Sequence, residues 1–502
     1  MNNQQETIRF LQSFAPTLIE THISMIFLDK HYAYKLKKAI TLPFVDFSQS
    51  KQRYLSCQDE LRLNRRTAED LYLEVLPIYR SAEGQLSFKD NGTEPVDAAL
   101  KMRRFDSRFL LSQLAEQKQL NQAMMAQLAE SLAAFHQQAA VSDDTQGAQR
   151  LSDIIELNRR SEPIVNQALG HQRMSELNRA LLKDTAQHAE LLNRRAAAGK
   201  VRHCHGDLHL NNICLWQHKP TPFDCLEFNE SMATTDVLYD VAFLLMDLWR
   251  YEQYDLANYL MNRYIDAHDE TDGLVLLPLF MSLRASIRAM VIAIQAANTE
   301  NGTEAAKYRH QAEQFLDLAY QLLQRPKLQL IAIGGLSGSG KSTMAATLAP
   351  FIGAAPGARV LSTDRIRKKL FGLKAEARLP AESYTAENSQ RVYRKQCELS
   401  STTLAAGHSV IADAVFAKAA EREAIEHCAQ QLTIPFKGLW LEAPTQELMQ
   451  RVEKRKNDPS DATVDVVKMQ LTIDSGEIHW PHLMSKQKTK DLCDQALKLL
   501  NH

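Results

Sequence analysis

Two short segments constrain the fold of this chain more than any other part of it. Residues 335–342 read GLSGSGKS, and residues 205–212 read HGDLHLNN. The first segment has the G-x-x-x-x-G-K-S spacing of a phosphate-binding loop, which requires a buried strand before it and a helix after it. The second has the H-G-D-x-x-x-x-N spacing in which an aspartate and an asparagine can serve one phosphoryl group. Because the two motifs occur in unrelated folds, the sequence predicts two different domains.

Length and composition fit this division. The 502 residues are too many for one hydrophobic core, and 45% hydrophobic and 24% charged residues are ordinary for a globular protein. We place the first domain at residues 1–325 and the second at 326–502. The net charge of −1 gives no reason to expect nucleic acid or an anionic membrane as a partner.

Targeting and redox signals point to the cytoplasm. We find no apolar run of the roughly 18 residues that a membrane span needs. The first six residues, MNNQQE, lack the basic and then apolar pattern of a signal peptide. The seven cysteines are scattered and contain no C-x-x-C, which is typical of thiols in a reducing compartment.

The first domain should be α+β, with a strand-rich lobe over about residues 20–105 and a helical lobe over 106–325. A helix is predicted ahead of the strands at 6–19 and another at 51–68. Two runs separated by a short polar turn predict a hairpin. The predicted strands of this lobe are 23–28, 32–36, 71–79 and 98–102.

The second domain should be α/β. Short apolar runs alternate with polar turns and helical stretches, which predicts a doubly wound parallel sheet with helices on both faces. The predicted strands are 327–333, 359–362, 410–412 and 436–441.

The phosphate-binding loop supplies the nucleotide contacts of this second domain. Its glycines let backbone N–H groups approach phosphate oxygens, and the following helix adds positive potential at its N-terminus. Lys341 should reach the β- and γ-phosphates, and the Ser342 hydroxyl should bind Mg²⁺. The residues predicted to hold the nucleotide are Gly335, Ser337, Gly338, Ser339, Gly340, Lys341, Ser342 and Thr343.

Other charged residues of the second domain stand where the chemistry needs them. Asp413 ends an apolar strand and is the candidate second Mg²⁺ ligand, with a helix N-cap as the alternative. Asp364 follows another strand and could orient or deprotonate an acceptor hydroxyl, with Arg365 binding substrate; a helix cap is again the alternative. Arg451 and Arg455 lie four residues apart and suit a phosphate-neutralising lid, or simply a solvated helix face.

The H-G-D segment supplies the chemistry of the first domain. Asp207 is placed to accept the proton of an acceptor hydroxyl, and Asn212 to bind Mg²⁺. Asp224, on a following strand, is the candidate second metal ligand, whereas His205 should be structural. Asp240 should mainly orient the H-G-D loop.

A strand lysine and a helix carboxylate should complete the first site. Lys35 and Lys37 share one face of a strand, because side chains alternate, and either could contact the α- and β-phosphates. We prefer Lys35, with Glu60 as its partner or, alternatively, on a solvated helix face. Arg284 and Arg288 could contact an anionic acceptor, although an ion pair explains them equally well.

A zinc site is the rival interpretation of the H-G-D segment. Two histidines four residues apart can share a helix face, but the expected glutamate is missing and Gly206 disfavours a helix there. The candidate zinc ligands would be His203, Cys204, His205 and His209.

These motifs resemble two known families. Residues of about 20–300 look like the aminoglycoside phosphotransferase (APH) family, through the H-G-D loop, Asp224 and the strand lysine. Residues 326–480 resemble small P-loop kinases such as the gluconate-kinase-like and zeta-toxin-like proteins. The order of parts also resembles bacterial two-domain proteins that join an APH-like domain to a P-loop domain. One departure is that no G-x-G-x-x-G precedes Lys35, so residues 21–24 would have to cover the phosphates.

The resemblance implies a two-lobed, protein-kinase-like domain followed by a P-loop domain. It also implies a cytoplasmic, ATP- and Mg²⁺-dependent phosphotransferase with two sites, each acting on a small-molecule hydroxyl. We expect neither nucleic acid nor a membrane as a partner, and the sequence does not predict the oligomeric state. The alternatives are a nucleotide sensor in which one domain gates the other, and an ATPase without an acceptor.

Overall fold

The computed structural model describes residues 4–42, 45–374, 377–454, 460–485 and 489–501. The strands are β1 (Thr17–Glu20), β2 (Ser24–Leu28), β3 (Tyr32–Lys37), β4 (Thr41–Leu42), β5 (Val45–Asp46), β6 (Tyr72–Arg80), β7 (Leu86–Ser87), β8 (Asp97–Arg103), β9 (Val201–His203), β10 (Ile213–Trp216), β11 (Lys219–Pro222), β12 (Thr234–Asp236), β13 (Leu330–Gly334), β14 (Arg359–Ser362), β15 (Val410–Asp413), β16 (Phe436–Glu442) and β17 (His482–Met484).

Helices connect these strands and form most of the middle of the chain. They are α1 (Gln4–Gln12), α2 (Ser50–Ala68), α3 (Leu111–Glu116), α4 (Gln122–Gln138), α5 (Gly147–Arg159), α6 (Glu162–Leu169), α7 (Arg173–Gln187), α8 (Ala189–Ala197), α9 (Glu230–Ala233), α10 (Val237–Arg250), α11 (Tyr254–Ala267), α12 (Leu277–Asn298), α13 (Gly302–Leu322), α14 (Lys341–Leu348), α15 (Thr363–Leu370), α16 (Ala386–Ala405), α17 (Ala419–Gln431), α18 (Thr445–Glu453), α19 (Val464–Leu471) and α20 (Thr489–Asn501).

Packing divides the chain into two compact units. The first unit comprises Met1–Leu157 with Leu182–Tyr251, and the second comprises Asn158–Leu181 with Glu252–His502. The predicted domain boundary at residue 325 stays a prediction. By packing, the helices α11, α12 and α13 belong to the same unit as the phosphate-binding loop.

The first unit is built on an antiparallel sheet with the order β1-β2-β3-β8-β6-β7. The predicted hairpin is confirmed, since β2 pairs antiparallel with β3 and Ile26 lies opposite Lys35. Side chains of β3 alternate between an apolar cluster on one face of the sheet and buried ion pairs on the other. Leu36 packs with Leu11 of α1 and Phe27 of β2 in one cluster, so its neighbours point to the opposite face, towards α2.

The helix predicted at 6–19 is wrong in its second half. Helix α1 ends at Gln12, and Thr17–Glu20 forms the edge strand β1, which pairs with β2. The physical reason is Pro16, which cannot donate a backbone hydrogen bond and disfavours helical geometry in Ala15 before it. The sequence after Pro16, Thr-Leu-Ile, then favours an extended chain.

The second unit contains the predicted parallel sheet, with the order β14-β15-β13-β16-β17. Central strand β13 is buried on both faces. Ile331 and Ile333 pack in a cluster with residues of α14 and α20, whereas Leu330 and Ala332 pack in another with residues of α16 and α17. Helices therefore cover both faces, and the α/β prediction is confirmed.

One helical stretch passes a membrane-span test by length and composition. Thr271–Asn298 has a window of mean hydropathy 1.7, and 72% of that window is buried inside the protein. Its apolar residues are therefore covered by other parts of the chain, including α13, against which α12 packs.

Gly438 of β16 gives a test of this sheet packing. A Cβ at this position would lie 2.3 Å from the ring of Trp480. That ring is fixed, since its Nε1–H donates to Glu426 at 2.7 Å. We expect Gly438→Ala to destabilise the second unit by about 1–3 kcal/mol. Thermal unfolding followed by tryptophan fluorescence should show a lower midpoint.

The matched control is Gly302→Ala at the start of α13, where an added Cβ meets nothing within 4 Å. Its midpoint should stay the same or rise slightly, because alanine restricts the unfolded chain. Equal midpoints for the two variants would contradict the packing described for β16.

Candidate active sites

The first site is built around two buried lysines on the α2 side of β3. Lys35 Nζ lies 2.7 Å from Glu60 Oε1 and 2.5 Å from Asp224 Oδ1. Lys37 Nζ lies 2.5 Å from the other Glu60 oxygen and forms a second ion pair with Glu227. The structure thus brings Lys35, and not Lys37, against the candidate metal ligand Asp224, while Glu60 bridges both lysines.

The charges in this network stabilise one another. Burial by itself would lower the pKa of Lys35, but the carboxylates of Asp224 and Glu60 outweigh it and raise the pKa well above its ordinary value. Burial would raise the pKa of Glu60, yet Lys35 and Lys37 together hold it below its ordinary value. For Glu227, burial dominates and raises the pKa. Lys35 and Glu60 therefore face each other as a charged pair.

The H-G-D loop leaves the side chain of the candidate base, Asp207, partly exposed to solvent. Asn212 Nδ2 donates to the Asp207 carboxylate at 2.8 Å and to the Asp207 carbonyl at 3.0 Å. His209 Nε2 lies 3.4 Å from the same carboxylate, and the Asp207 side chain remains 43% exposed. The Asp207 carboxylate is therefore held in orientation by two neighbours and is still accessible to an acceptor.

Asp240 of α10 fixes the loop through its backbone. Its carboxylate accepts the N–H groups of His205 at 3.1 Å and Gly206 at 2.8 Å, and it also lies 3.1 Å from His136 Nε2. These contacts agree with the prediction that Asp240 orients the loop. The neighbouring Asp236 instead pairs with buried Arg195 at 2.8 Å.

Asp224 adopts a left-handed backbone conformation with φ of 58°. Such a conformation costs a residue with a Cβ on the order of 1–2 kcal/mol, so neighbouring groups must hold it. The Asp224 N–H donates to the Tyr72 hydroxyl at 3.0 Å, and the Cys225 N–H donates to Asn64 Oδ1 at 2.9 Å. His205 Nε2 donates to the Phe223 carbonyl at 3.1 Å, which confirms its structural role.

The alternative zinc set is not assembled. Cys204 Sγ donates to the Thr235 carbonyl at 3.5 Å, and His205 Nε2 donates to the Phe223 carbonyl. The His209 ring packs edge-on against Phe243, with 5.0 Å between ring centroids. Among the described residues, these four candidate ligands are therefore not gathered into one group that could share a metal ion.

The second site is formed by the phosphate-binding loop between β13 and α14. Gly335 and Gly338 have φ of 136° and 89°, and a Cβ at either would lie within 2.5 Å of a backbone oxygen of a neighbouring segment. Gly340 precedes the first residue of α14. Only glycine fits the first two positions, because both the φ angle and the space exclude a side chain.

The metal-side residues of the second site are in contact. The Ser342 hydroxyl donates to Asp413 Oδ2 at 2.8 Å, and Asp413 is the last residue of β15. No helix begins directly after Asp413, since α17 begins at residue 419, so the N-cap alternative is wrong. Burial raises the pKa of Asp413 despite the opposing effects of Lys341 and Ser342, and Asp364 adds to the rise. Lys341 Nζ donates to the Leu336 carbonyl at 3.0 Å.

Asp364 and Arg365 have different surroundings. Asp364 lies in the first turn of α15, whose N-cap is Ser362, so Asp364 is not the cap. The Asp364 carboxylate is close enough to Asp413 to act on its pKa. The expectation that Arg365 binds substrate needs correction, because its guanidinium forms an ion pair with Asp266 of α11.

The candidate lid residue Arg451 contacts the loop directly. Its guanidinium donates to the Gly338 carbonyl at 3.4 Å and to the Ser485 carbonyl at 2.7 Å, and it pairs with Glu447 at 2.9 Å. Arg455 lies outside the described residues. The Ser337 N–H donates to Gln470 Oε1 of α19 at 2.8 Å, a contact that the motif alone did not reveal.

Some site residues were missed at the sequence level. Glu227 could have been found from charge balance, since two lysines on one buried face require more than one carboxylate. His209 was marked only as a candidate zinc ligand, and no comparable signal marked Gln470. Arg284 is buried in α12, and Arg288 stacks over the Phe315 ring with 5.8 Å to the centroid.

Family models match two stretches of the chain. Residues 45–274 match the phosphotransferase enzyme family, and residues 330–472 match an AAA domain. The first stretch contains Glu60, Asp207, Asn212 and Asp224, whereas Lys35 lies ahead of it. The two matches confirm the prediction of a two-domain fusion, and the phosphotransferase match confirms the prediction of a kinase-type enzyme.

Mycobacterial relatives align with most of this chain. Uncharacterized proteins of Mycobacterium tuberculosis and Mycobacterium bovis are 28% identical over 463 residues, covering 89% of this chain and 88% of theirs. Each matched domain is longer than the part of the chain outside this alignment, so the alignment must include residues of both domains.

Solved structures align with parts of this chain. A GDP complex of an aminoglycoside 2'-phosphotransferase-IIIa covers 64% of this chain and 100% of its own, with 12% identity and a TM-score of 0.41. A sugar kinase from Janibacter covers 35% of this chain and 95% of its own, with 23% identity and a TM-score of 0.28. The fold assignment rests on the strand topology and the two family matches.

Glu60 allows a test of the buried ion network. Glu60→Gln should destabilise the first unit by about 3 kcal/mol at neutral pH, because two buried ammonium groups lose a carboxylate. The pKa of Glu60 is lowered from 4.5, so its ion pairs contribute fully above that pH and are lost as pH falls through the lower value. The difference in thermal midpoint between the variant and the unsubstituted protein should therefore shrink below pH 4.5.

The control is Asp59→Asn on the same helix, whose side chain is 52% exposed and pairs with Arg62. It should shift the midpoint little at any pH. A Glu60→Gln variant that behaves like this control would show that the lysines do not depend on Glu60.

Proposed function

Because this chain joins a phosphotransferase-family domain to an AAA-type P-loop domain, we propose that it is a bifunctional ATP- and Mg²⁺-dependent kinase. Each site transfers the γ-phosphoryl group of ATP to the hydroxyl of a small molecule. The observation that carries this proposal is the completeness of each site. Each brings together a lysine for phosphate, oxygen ligands for a metal and a carboxylate suited to an acceptor hydroxyl.

In the first site, Asp207 acts as the base. Its carboxylate accepts the proton of the acceptor hydroxyl while the acceptor oxygen bonds to the γ-phosphorus and the bond to ADP breaks. Asn212 and His209 hold the Asp207 carboxylate in place, at 2.8 Å and 3.4 Å. Lys35, held by Glu60, stabilises the charge on the phosphates.

The oxygen donors of the first site fit Mg²⁺. Asn212 uses its amide nitrogen for Asp207, which leaves the amide oxygen for a metal. The Asp224 carboxylate is 41% exposed and lies beside Lys35. Mg²⁺ prefers such hard oxygen ligands, and when bound it would neutralise negative charge on the phosphate oxygens.

In the second site, Asp364 acts on the acceptor hydroxyl, and the P-loop binds the phosphates of ATP. Asp364 accepts the acceptor proton, while Lys341 and the loop N–H groups stabilise the phosphates. Ser342 and Asp413 supply two oxygen atoms 2.8 Å apart, which fit a Mg²⁺ ligand pair. Arg451, already on the Gly338 carbonyl, is close enough to neutralise charge near the loop.

Positioning and charge neutralisation should supply most of the rate in both sites, since phosphoryl transfer needs little covalent help from the protein. We also propose a cytoplasmic location, with which the seven free thiols of the structure are compatible.

Single substitutions separate the two activities. The full chain is incubated with Mg²⁺, ATP and a panel of sugars, aminoglycosides and nucleosides, and phosphorylated products are identified by mass spectrometry. Asp207→Asn should lower one set of products by about 10²–10⁴-fold, because the base is lost. Lys341→Ala should abolish a different set.

The control Asp255→Asn changes an exposed acid of α11 and should leave both sets of products intact. Loss of every product in either variant alone would contradict independent sites. ATP binding without a product from any acceptor would favour the alternative of a nucleotide sensor.

A further inference from the structure

Three polar residues mark one face of α11. Asn258, Asn262 and Asp266 lie at intervals of four residues, so they share one side of the helix. Both asparagines are buried to within 2% exposure, which requires that their amides be satisfied. This face of α11 meets the outer edge of the parallel sheet of the second unit.

The two asparagines take the place of a neighbouring strand. Asn258 Nδ2 donates to the carbonyls of Pro356 at 3.1 Å and Ala358 at 3.0 Å. Asn262 Oδ1 accepts the Val360 N–H at 2.8 Å. Strand β14 is the first in the sheet order, so its outer edge would otherwise carry unpaired backbone groups. The side chains of α11 close this edge.

Asp266 extends the contact to α15. Its carboxylate pairs with Arg359 at the start of β14 and with Arg365 in the first turn of α15. Lys369, at the other end of α15, donates to the Asp266 carbonyl at 2.9 Å. The pKa of Asp266 is lowered, since the two arginines outweigh the effect of burial. One carboxylate thus contacts both the strand that ends at Ser362 and the helix that contains Asp364.

We propose that Asp266 is a positioning residue for Asp364, so that α11 fixes the acceptor side of the P-loop site. The proposal rests on the P-loop kinase function given above. Asp364 immediately precedes Arg365 and lies two residues after Ser362, which is opposite Asp413 of the metal pair in the register of β14 and β15. A shift of α15 moves Asp364 relative to the phosphates, and misplacement of about 1 Å can cost about 10²-fold in rate.

The donor side should depend less on Asp266. Lys341 and Ser342 lie at the start of α14, and the other end of α11 contacts the segment Ala349–Phe351 that follows this helix. There, Tyr254 packs edge-on against Phe351, with 6.2 Å between ring centroids. Substitution of Asp266 should therefore lower kcat of the P-loop reaction and leave the KM for ATP unchanged.

The test compares Asp266→Asn with Asp255→Asn, an exposed acid on the same helix, in the full-length chain. Hydrogen exchange by mass spectrometry reports on the amides of Thr363–Leu370 and of Lys341–Leu348. In Asp266→Asn, we expect exchange in α15 to become at least tenfold faster and exchange in α14 to change less than twofold. Asp266→Glu keeps the charge and should restore α15 to within threefold.

Turnover gives the second measurement. The products lost in Lys341→Ala identify the P-loop reaction, and its kcat should fall at least tenfold in Asp266→Asn, with the KM for ATP within twofold. Asn262→Ala, which leaves the arginines paired with Asp266, should show a smaller effect of the same kind. It serves in place of Asp266→Asn if that variant does not fold.

Two outcomes overturn the proposal. One is α15 exchange equal to that of Asp255→Asn, and the other is faster exchange with unchanged kcat. The exchange measurement needs no turnover, so it decides whether α11 holds α15 even in a protein that makes no P-loop product. Absence of that product in the unsubstituted chain would be a failure of the proposed function and not of the contact.

Discussion

The burial of two ammonium groups on β3 constrains the whole first site. Lys35 and Lys37 are nearly inaccessible, and removing such charges from water costs several kcal/mol each unless carboxylates accompany them. Those carboxylates come from separate parts of the chain, Glu60 on α2 and Asp224 and Glu227 after β11. The arrangement is therefore cooperative, because any structure that buries the lysines must also bring α2 and the 224–227 segment to β3.

Hydrogen bonds to the backbone explain how a strained residue can be kept in the first site. Asp224 has a left-handed backbone, and two backbone N–H groups beside it are held by Tyr72 and Asn64. The backbone of the H-G-D loop is also held by hydrogen bonds, since the Asp240 carboxylate accepts two of its N–H groups. In both places the protein fixes the backbone and leaves the carboxylates of Asp207 and Asp224 exposed at 43% and 41%. Rigid backbones with accessible side chains are what positioning catalysis needs.

The parts of the fold that depend on local sequence pattern could be predicted from the sequence. The βα alternation after residue 326 and the hairpin before Lys35 could be predicted, because period and turn chemistry are local properties. The preference for Lys35 over Lys37 could not be settled, because both lysines share a face and only tertiary packing brings Asp224 to one of them. Arg365 was assigned to substrate for a similar reason. Its position in the first turn of α15 is local information, whereas its partner Asp266 lies about a hundred residues earlier in the chain. The prediction of a helix at 6–19 was wrong for a local reason, because the effect of Pro16 outweighed the apolar periodicity.

Helix α11 belongs to the first domain by family and to the second unit by packing. The phosphotransferase match extends to residue 274, whereas the compact unit that holds the P-loop begins again at Glu252. A P-loop sheet that ends in an uncovered β14 would expose backbone groups of a kind that natural sheets protect. The asparagines of α11 satisfy these groups, and Asp266 neutralises Arg359 and Arg365. Removal of the first domain would therefore take away the partner of the edge strand and leave two partly buried cations without their carboxylate. The two kinase-type domains therefore depend on each other structurally, because a helix within the phosphotransferase match covers the edge strand of the second sheet.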